Sequence, residues 1–138
     1  MKILVMGLPG SGKSTFARKL VEDLTALGKS AEWLNADRIR QAADDWDFSD
    51  TGRKRQAERM RALADSATAT GKIAVCDFVC PTQELRNIFD ADTVVWMDTI
   101  SKSQYEDTNK IFEEPIHYDY RITEKDSFPW SQVLADKV

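Results

Sequence analysis

Short apolar runs alternate with longer amphipathic stretches along the chain, and this alternation predicts its secondary structure. The opening run, K-I-L-V-M at Lys2–Met6, is typical of a strand that is buried on both faces. The next stretch repeats apolar residues at helical spacing, and Gly28 is placed to end it. The predicted strands are Lys2–Met6, Ala31–Asn35, Ile73–Val79, Val94–Met97 and Tyr118–Ile122, and the predicted helices are Lys13–Leu27, Asp37–Ala43, Arg53–Thr70, Pro81–Phe89 and Ser127–Val138. The order predicts an α/β fold in which a mainly parallel sheet of about five strands lies between helices.

The composition agrees with one domain that spans residues 1–138. The chain has 138 residues, of which 42% are apolar, and this is enough for one hydrophobic core. Its 19 basic and 23 acidic residues give a net charge of −4, which disfavours nucleic acid as a partner without excluding it. The apolar runs are far shorter than a membrane span, and Cys76 and Cys80 lack the histidines of a zinc site. We therefore expect a single domain that works in the reducing cytoplasm and not at a membrane.

The segment Gly7–Ser14 reads G-L-P-G-S-G-K-S and matches the phosphate-binding pattern G-x-x-x-x-G-K-[ST] at every defined position. It follows a predicted strand and opens a predicted helix, a context that disfavours a chance glycine turn. The glycines let backbone N–H groups surround a phosphate, and the helix adds the positive end of its dipole. The motif predicts a P-loop NTPase fold, a three-layer α/β/α sandwich, with ATP and Mg²⁺ as ligands. Lys13 would contact the β- and γ-phosphates, Ser14 would ligate magnesium, and the residues predicted to contact the nucleotide are Gly7, Leu8, Pro9, Gly10, Ser11, Gly12, Lys13, Ser14 and Thr15.

Polar residues follow the second and third predicted strands, at the edge of the sheet where α/β proteins bind their ligands. Asp37 could hold magnesium or accept the proton of an attacking hydroxyl, and Arg40, one helical turn further on, could bind an anionic acceptor. The alternative is that Asp37 only caps a helix whose arginines are solvated. Asp77 ends the third strand and could assist magnesium, or it could anchor the following loop.

An aromatic residue, Phe48, lies in a polar loop before a helix that carries Arg55 and Arg59 on one face. An exposed ring beside arginines suits a planar base that bears an anionic group. The other interpretation is that Phe48 packs into the core and the arginines are solvated, and the residues leave both open. Three tryptophans, Trp33, Trp96 and Trp130, are expected in the core.

These motifs resemble those of the adenylylsulphate kinase family, which phosphorylates the 3′-hydroxyl of adenosine 5′-phosphosulfate with ATP. The family's G-L-x-G-x-G-K-S-T is similar to Gly7–Thr15, and its D-G-D-N-x-R is similar to Asn35–Arg40. Its G-F-S before an arginine that opens a long helix is similar to Asp47–Ser49 and Arg53. Its S-F-I-S-P is similar to Asp77–Pro81, and together these motifs extend the resemblance over about residues 1 to 99.

The resemblance implies roles for the matching positions. Asp37 would be the catalytic aspartate that organises magnesium, and Phe48 and Phe78 would hold the adenine of the acceptor between them. Arg40 and Arg53 would bind its phosphosulfate. The predicted catalytic residues are Lys13 and Asp37, the predicted acceptor contacts are Asp37, Arg40, Phe48, Arg53, Phe78 and Pro81, and the predicted magnesium ligands are Ser14, Asp37 and Asp77.

The resemblance weakens after Thr99, where the family has a lysine-rich lid. The lid-like segment here, about residues 100–115, is shorter and acidic, and Lys102 and Lys110 are its only lysines. Because a lid supplies cations and excludes water, other acceptors stay open: a polynucleotide end, a modified nucleotide, or none in a module that only binds ATP. Arg121 is a further candidate for contacting the nucleotide, and a homodimer is left open. The predicted function is an ATP- and magnesium-dependent kinase for a small nucleotide, with adenosine 5′-phosphosulfate as the first candidate acceptor.

Overall fold

The computed structural model describes residues 1–138 and contains a sheet of five strands. Its strand order is β2-β3-β1-β4-β5, and every neighbouring pair is parallel. The strands are β1 (Lys2–Met6), β2 (Ala31–Asn35), β3 (Ile73–Asp77), β4 (Thr93–Met97) and β5 (Tyr120–Ile122), and the helices are α1 (Lys13–Ala26), α2 (Ala36–Ala43), α3 (Asp50–Ala69), α4 (Gln83–Phe89), α5 (Glu106–Ile111) and α6 (Phe128–Lys137). The parallel five-stranded sheet predicted from the sequence is confirmed.

The central strand β1 is buried on both faces, and its alternate residues enter two separate cores. Ile3 and Val5 pack with residues of α1 and α6, whereas Leu4 and Met6 pack with residues of α3 and α4. Full burial of one such aliphatic side chain stabilises the fold by about 1.5–3 kcal/mol. The two cores make a three-layer sandwich, as the apolar pattern predicts.

Most predicted helix bounds agree with the structure to within two residues, but two helices differ more. The structure begins α3 at Asp50, three residues earlier than predicted, because Ser49 caps it by accepting a hydrogen bond from the Gly52 amide at 3.2 Å. The helix α5 was not predicted, because Glu106–Ile111 has too little apolar periodicity to reveal it. It lies in the lid-like segment.

The three tryptophans expected in the core have different environments. Trp96 is 4% exposed, which confirms its prediction, but Trp130 is 37% exposed and its prediction is wrong. Trp33 is partly buried on β2, at one edge of the sheet. Its indole N–H contacts a site residue, as described below.

The carboxyl ends of β1, β2 and β3 lie side by side at the same end of the sheet, because the three strands are parallel neighbours. The phosphate-binding loop joins β1 to α1 there, and β2 runs directly into α2. This arrangement brings residues from distant parts of the chain to the loop. None of the helices is both long and apolar enough to cross a membrane.

Candidate active site

The loop between β1 and α1 has the backbone shape that its glycines predict. Gly7, Gly10 and Gly12 have φ angles of 149°, 84° and 93°, which favour glycine. A Cβ atom at Gly7 would lie 2.5 Å from the carbonyl oxygen of Met97, so a larger residue does not fit there. The Thr99 hydroxyl donates to the Ser11 carbonyl at 2.8 Å and ties the loop to the end of β4.

The amine of Lys13 is buried under this loop. Its Nζ atom donates to the Leu8 carbonyl at 2.9 Å, within the loop itself. Burial lowers the pKa of Lys13 to about 8, and the carboxylates of Asp77 and Asp37 partly oppose that shift. The amine therefore lies near both carboxylates, in the position that the motif predicts for the phosphates' partner.

A hydrogen-bond network joins the start of α1 to the ends of β2 and β3. The Ser14 hydroxyl donates to Oδ1 of Asp77 at 3.1 Å, and the amide of Asn35 donates to both carboxylate oxygens at 3.1 and 3.3 Å. The indole N–H of Trp33 donates to Oδ2 of Asp77 at 2.5 Å. Burial raises the pKa of Asp77, although these hydrogen bonds and the Lys13 amine oppose the rise.

Asp37 lies on the first turn of α2, and its side chain is exposed. The cap of this helix is Asn35, whose side-chain oxygen accepts from the Arg38 amide at 3.1 Å. The alternative that Asp37 serves as the helix cap is therefore wrong. Its carboxylate is free for another role.

The residues around the loop fit a magnesium-bound triphosphate. The helix α1 has no side-chain cap, so the N–H groups of its first turn are available to phosphate oxygens. The Ser11 hydroxyl is buried and has no hydrogen-bond partner. Ser14 and Asp77 offer hard oxygen ligands, and magnesium needs only one or two of these beside phosphates and waters. No group of three or more His, Cys, Asp or Glu side chains is placed to hold a metal ion by itself.

The ring of Phe48 is 53% exposed and lies beside the arginines of two helices. The guanidinium of Arg40, on α2, is 4.3 Å from the ring centroid, and that of Arg53, on α3, is 5.6 Å from it. Arg40 donates to the carbonyls of Asp45 and Asp47, and Arg53 donates to the carbonyl of Phe48. Because these partners are neutral, the positive charge of both arginines is left for an anion. Burial lowers the pKa of both arginines, and the charge of nearby carboxylates partly opposes that shift.

The two arginines predicted to share a face of the long helix have other partners. Arg55 donates to the carboxylate of Asp45 at 2.7 and 3.0 Å and to that of Asp47 at 3.2 Å. Arg59 donates to Asp45 at 2.8 Å. These ion pairs hold the loop before α3 in place. Neither of the two interpretations made from the sequence fully describes the surroundings of Phe48 and of these arginines. Phe48 is not in the core, and Arg55 and Arg59 are not free.

The remaining predicted acceptor residues lie at the turn after β3. Phe78 is 8% exposed and packs edge-on against Phe89 in the core, with the ring centroids 5.4 Å apart. Pro81 is buried, and its carbonyl accepts from the Glu113 amide at 2.7 Å. The exposed ring that a planar base can reach is therefore that of Phe48, and a clamp that includes Phe78 stays a prediction.

The segment that carries α5 is fastened to this turn by Arg86. Its Nε atom donates to the Cys80 carbonyl at 3.0 Å, and its Nη2 atom donates to the Glu113 carbonyl. Its guanidinium also lies 5.7 Å from the centroid of Phe112. Within α5 itself, the Thr108 hydroxyl accepts from Nη2 of Arg53 at 3.4 Å. The segment thus contacts α3 and α4, beside the Phe48 ring.

Arg121, the predicted contact for the nucleotide, lies on β5 and is exposed. It donates from Nε and Nη2 to one oxygen of Asp98, at 3.0 and 2.7 Å, and lies 4.8 Å from the ring centroid of Trp96. Its guanidinium is therefore already paired with a carboxylate, unlike those of Arg40 and Arg53. A contact with the nucleotide stays a prediction.

Two residues of the site were not singled out from the sequence. Trp33 was assigned to the core, although β2 places it on the same face as Asn35, two residues later. Thr99 follows β4 and fastens the loop by way of Ser11. For both Trp33 and Thr99, the sequence feature that could have identified them is a side chain with a hydrogen-bonding group near the carboxyl end of a strand.

Comparison with known proteins adds a family assignment to this geometry. A family model described as adenylylsulphate kinase matches residues 1–103. The adenylyl-sulfate kinase of Bacillus pumilus is 36% identical over 87 residues, and the probable adenylyl-sulfate kinase of Aeropyrum pernix is 33% identical over 87 residues. Each match takes in 62% of this chain but only 44% and 48% of those relatives. The chain thus spans about half the length of the curated relatives it matches.

Solved structures of similar shape extend over nearly the whole chain. The APS kinase of Mycobacterium tuberculosis, in complex with AMPPNP and APS, has a TM-score of 0.86 and 22% identity, and the match covers 98% of this chain and 95% of that one. The hexameric APS kinase of Thiobacillus denitrificans has a TM-score of 0.72 and 22% identity, with 99% of this chain and 28% of that one covered. These likenesses confirm the P-loop fold.

Proposed function

The chain belongs to the adenylylsulphate kinase family, and from this premise we propose that it is an ATP- and magnesium-dependent kinase for a small nucleotide. The acceptor that we propose is adenosine 5′-phosphosulfate, at its 3′-hydroxyl. The curated relatives named above, which carry that activity in their names, support this choice of acceptor.

The observation that carries the proposal is the exposed ring of Phe48 beside two arginines that form no ion pair with a carboxylate. A planar adenine can stack on this ring, and the phosphosulfate of the same molecule can pair with Arg40 and Arg53. The adenine matches the exposed aromatic ring, and the phosphosulfate of the same molecule matches the two guanidinium groups. Because Arg55 and Arg59 already pair with carboxylates, the anion site is limited to Arg40 and Arg53.

On the donor side, the proposal gives each residue of the loop a role. The amides at the start of α1 and the Lys13 amine bind the phosphates, and the Ser14 hydroxyl and Asp77 hold magnesium. Bound magnesium would neutralise charge on the transferred phosphoryl group. The Lys13 ammonium uses one of its three N–H donors for the Leu8 carbonyl, and the other two are left for the phosphates.

For the transfer itself, we assign the acceptor hydroxyl to Asp37. Its exposed carboxylate lies near both Lys13, a donor-side residue, and Arg40, an acceptor-side residue. It orients the hydroxyl and accepts its proton as the oxygen bonds to the γ-phosphorus and the bond to ADP breaks. The other residues position the reactants and stabilise charge, which are the main contributions in phosphoryl transfer.

The acceptor can be tested by measuring ADP release in the presence of ATP, MgCl₂ and a panel of candidate acceptors. We expect saturable release with adenosine 5′-phosphosulfate, and none with the same nucleotide lacking its 3′-hydroxyl. The Lys13→Ala variant, which removes the phosphate-binding amine, should be inactive with every acceptor.

Other outcomes would replace this acceptor. Transfer of label from γ-labelled ATP to the 5′-end of a DNA or RNA oligonucleotide would identify a polynucleotide kinase. Binding of ATP without ADP release for any acceptor would identify a nucleotide-binding module. The acidic character of α5, with Glu106 and Asp107 in its first turn, is the feature that makes both outcomes worth including.

A further inference from the structure

We infer that Trp33 is a positioning residue, which fixes the Asp77 carboxylate so that one of its oxygens faces Ser14. The inference rests on the proposed function, because it concerns how this chain prepares its magnesium site. It adds a residue that the phosphate-binding motif does not contain. The role belongs to the indole N–H and not to the bulk of the ring.

The two oxygens of Asp77 have different partners. Oδ2 accepts from the indole of Trp33 at 2.5 Å, and Oδ1 accepts from the Ser14 hydroxyl at 3.1 Å. The amide of Asn35 lies between them, at 3.1 Å from Oδ1 and 3.3 Å from Oδ2. Trp33 therefore holds the oxygen that points away from Ser14, and this leaves the other oxygen directed at the magnesium-binding hydroxyl.

The register of the sheet fixes this arrangement. Asn35 on β2 is paired with Asp77 on β3, and Trp33 lies two residues earlier, so its side chain emerges on the same face. The Asp77 side chain is nearly inaccessible, at 3% exposure, and a buried carboxylate is strongly destabilised unless donors satisfy it. The indole supplies a donor that an aliphatic residue on this edge strand would not.

The indole ring is itself held in place by two arginines. The guanidinium of Arg38 lies 4.8 Å from the ring centroid of Trp33, and that of Arg18 lies 5.9 Å from it. Both are within the range of cation–π attraction. Arg18 is one turn along α1 from Ser14, so the ring is held between the helices that begin at the site.

Loss of the indole N–H should therefore affect magnesium more than nucleotide. Asp77 would keep its donors Asn35 and Ser14, but Oδ2 would keep only the longer hydrogen bond from Asn35, at 3.3 Å, and the carboxylate could rotate away from the Ser14 hydroxyl. Removal of a group that orients a metal ligand typically weakens metal affinity by about 10- to 100-fold. The phosphate contacts of Lys13 and the loop amides do not involve Trp33.

The test compares Trp33→Phe with Trp130→Phe. Both changes keep an aromatic ring and remove an indole N–H that donates to a carboxylate, because Trp130 donates to Glu124 at 3.3 Å on the distant helix α6. The binding of a non-hydrolysable ATP analogue is measured by calorimetry in EDTA and at increasing MgCl₂. For Trp33→Phe, we expect the half-saturating Mg²⁺ concentration to rise about tenfold, while the affinity in EDTA stays within about twofold. Trp130→Phe should match the parent chain in both measurements.

Each outcome of this titration separates the inference from the proposed function. If folded Trp33→Phe requires the same Mg²⁺ concentration as the parent, the inference is overturned. It is also overturned if the affinity falls equally with and without magnesium, since this would indicate a structural role alone. If the parent chain binds the analogue with no effect of magnesium, the proposed function fails instead.

A second measurement keeps the inference testable if Trp33→Phe does not fold. In the parent chain with ¹⁵N-labelled indoles, the Trp33 signal can be assigned by elimination with Phe variants of the other three tryptophans. We expect that signal to shift when MgCl₂ is added to the analogue complex, because Asp77 and Ser14 then engage the ion. An unchanged Trp33 signal under saturating magnesium would contradict the inference.

Discussion

At the scale of the residue, Asp37 and Asp77 are two carboxylates at the same edge of the sheet, but their surroundings differ. Asp77 is buried and accepts hydrogen bonds from three side chains, which hold it in one orientation. Asp37 is exposed, and the helix cap that it might have provided comes from Asn35. A fixed carboxylate suits a metal ion, and a free one suits a hydroxyl that must lose its proton.

The division of roles predicts a specific kinetic result for Asp37→Asn. We expect turnover with the acceptor to fall at least about 100-fold, because the amide cannot accept the proton. The affinity for the ATP analogue should stay within about twofold, as measured by calorimetry, since the loop and Lys13 are unchanged. Asp44→Asn, the same substitution at the opposite end of α2, is the control and should keep full activity. Normal turnover by Asp37→Asn would contradict the role of this residue.

The phosphate-binding loop could be predicted residue by residue because its chemistry is local. Eight consecutive positions carry the complete pattern, and the strand and helix around them follow from their own apolar spacing. The contact between Trp33 and Asp77 could not be predicted in the same way, because 44 residues separate them. It depends on the pairing of β2 with β3, and that register is set by the whole sheet.

At the scale of the element, ion pairs hold the loop before α3. The sequence alone did not show whether the arginines that form them are paired or solvated. The loop residues Asp45 and Asp47 pair with Arg55 and Arg59, which lie on the helix that follows. The hydrogen bonds from Arg55 and Arg59 keep the pKa of Asp45 well below its usual range. The same loop carries Phe48, so these ion pairs also fix the ring that we propose binds the base.

The lowered pKa of Asp45 predicts how the stability of this loop depends on pH. The ionised carboxylate binds its arginines in the folded chain, so its contribution is fully present above pH 4 and is lost as the pH falls through the lower, folded pKa. The melting temperature of Asp45→Asn should therefore be below that of the parent at pH 7, and the gap should close in strongly acidic buffer. Asp50→Asn removes an exposed pair with Lys54 and should show little gap at any pH. A constant gap for Asp45→Asn would refute the ion-pair explanation.

The α5 segment is a second element, and Arg86 is one of the residues that fasten it. Arg86 donates to the carbonyls of Cys80 and Glu113, and so joins the turn after β3 to the end of the lid-like segment. The sequence predicted the segment but not its helix, because this short acidic stretch contains few apolar residues. Its place on the protein is set by hydrogen bonds to distant carbonyls, which no local pattern encodes.

We predict that Arg86→Met lowers the free energy of unfolding by about 2 kcal/mol, because two carbonyls lose their donor while an unbranched, apolar side chain still fills the space of the arginine stem. Urea denaturation followed by circular dichroism measures this change. Trypsin should also cut faster after Lys110, within α5, once the segment is released. Arg61→Met, on the exposed face of α3, is the matched control and should change stability by less than about 0.5 kcal/mol. Equal losses in the two variants would show that Arg86 does not hold the segment.

At the scale of the whole molecule, the order of the strands explains why the fold could be predicted well and the site only in part. Alternation of strands and helices leads to a parallel sheet by general rules of chain connection, and all four neighbouring strand pairs of this chain are parallel. The site is formed where β1, β2 and β3 end, and its contacts join helices that pack on opposite faces of the sheet. Ligand binding should therefore stabilise both layers together.

Ligand binding should raise the melting temperature of the parent chain but not that of Lys13→Met. A ligand at 100 times its Kd stabilises the folded state by about 2.7 kcal/mol, and for a chain of this size the melting temperature should rise on the order of 10 °C. At pH 7, the buried ammonium of Lys13 is less stable in the folded chain than in the unfolded one, because its pKa is lowered to about 8. Without ligand, Lys13→Met should thus melt at or above the parent's temperature, yet gain nothing from MgCl₂ and the ATP analogue. Differential scanning calorimetry of both proteins tests this, and a ligand-induced rise in Lys13→Met equal to that of the parent would show that the analogue binds elsewhere.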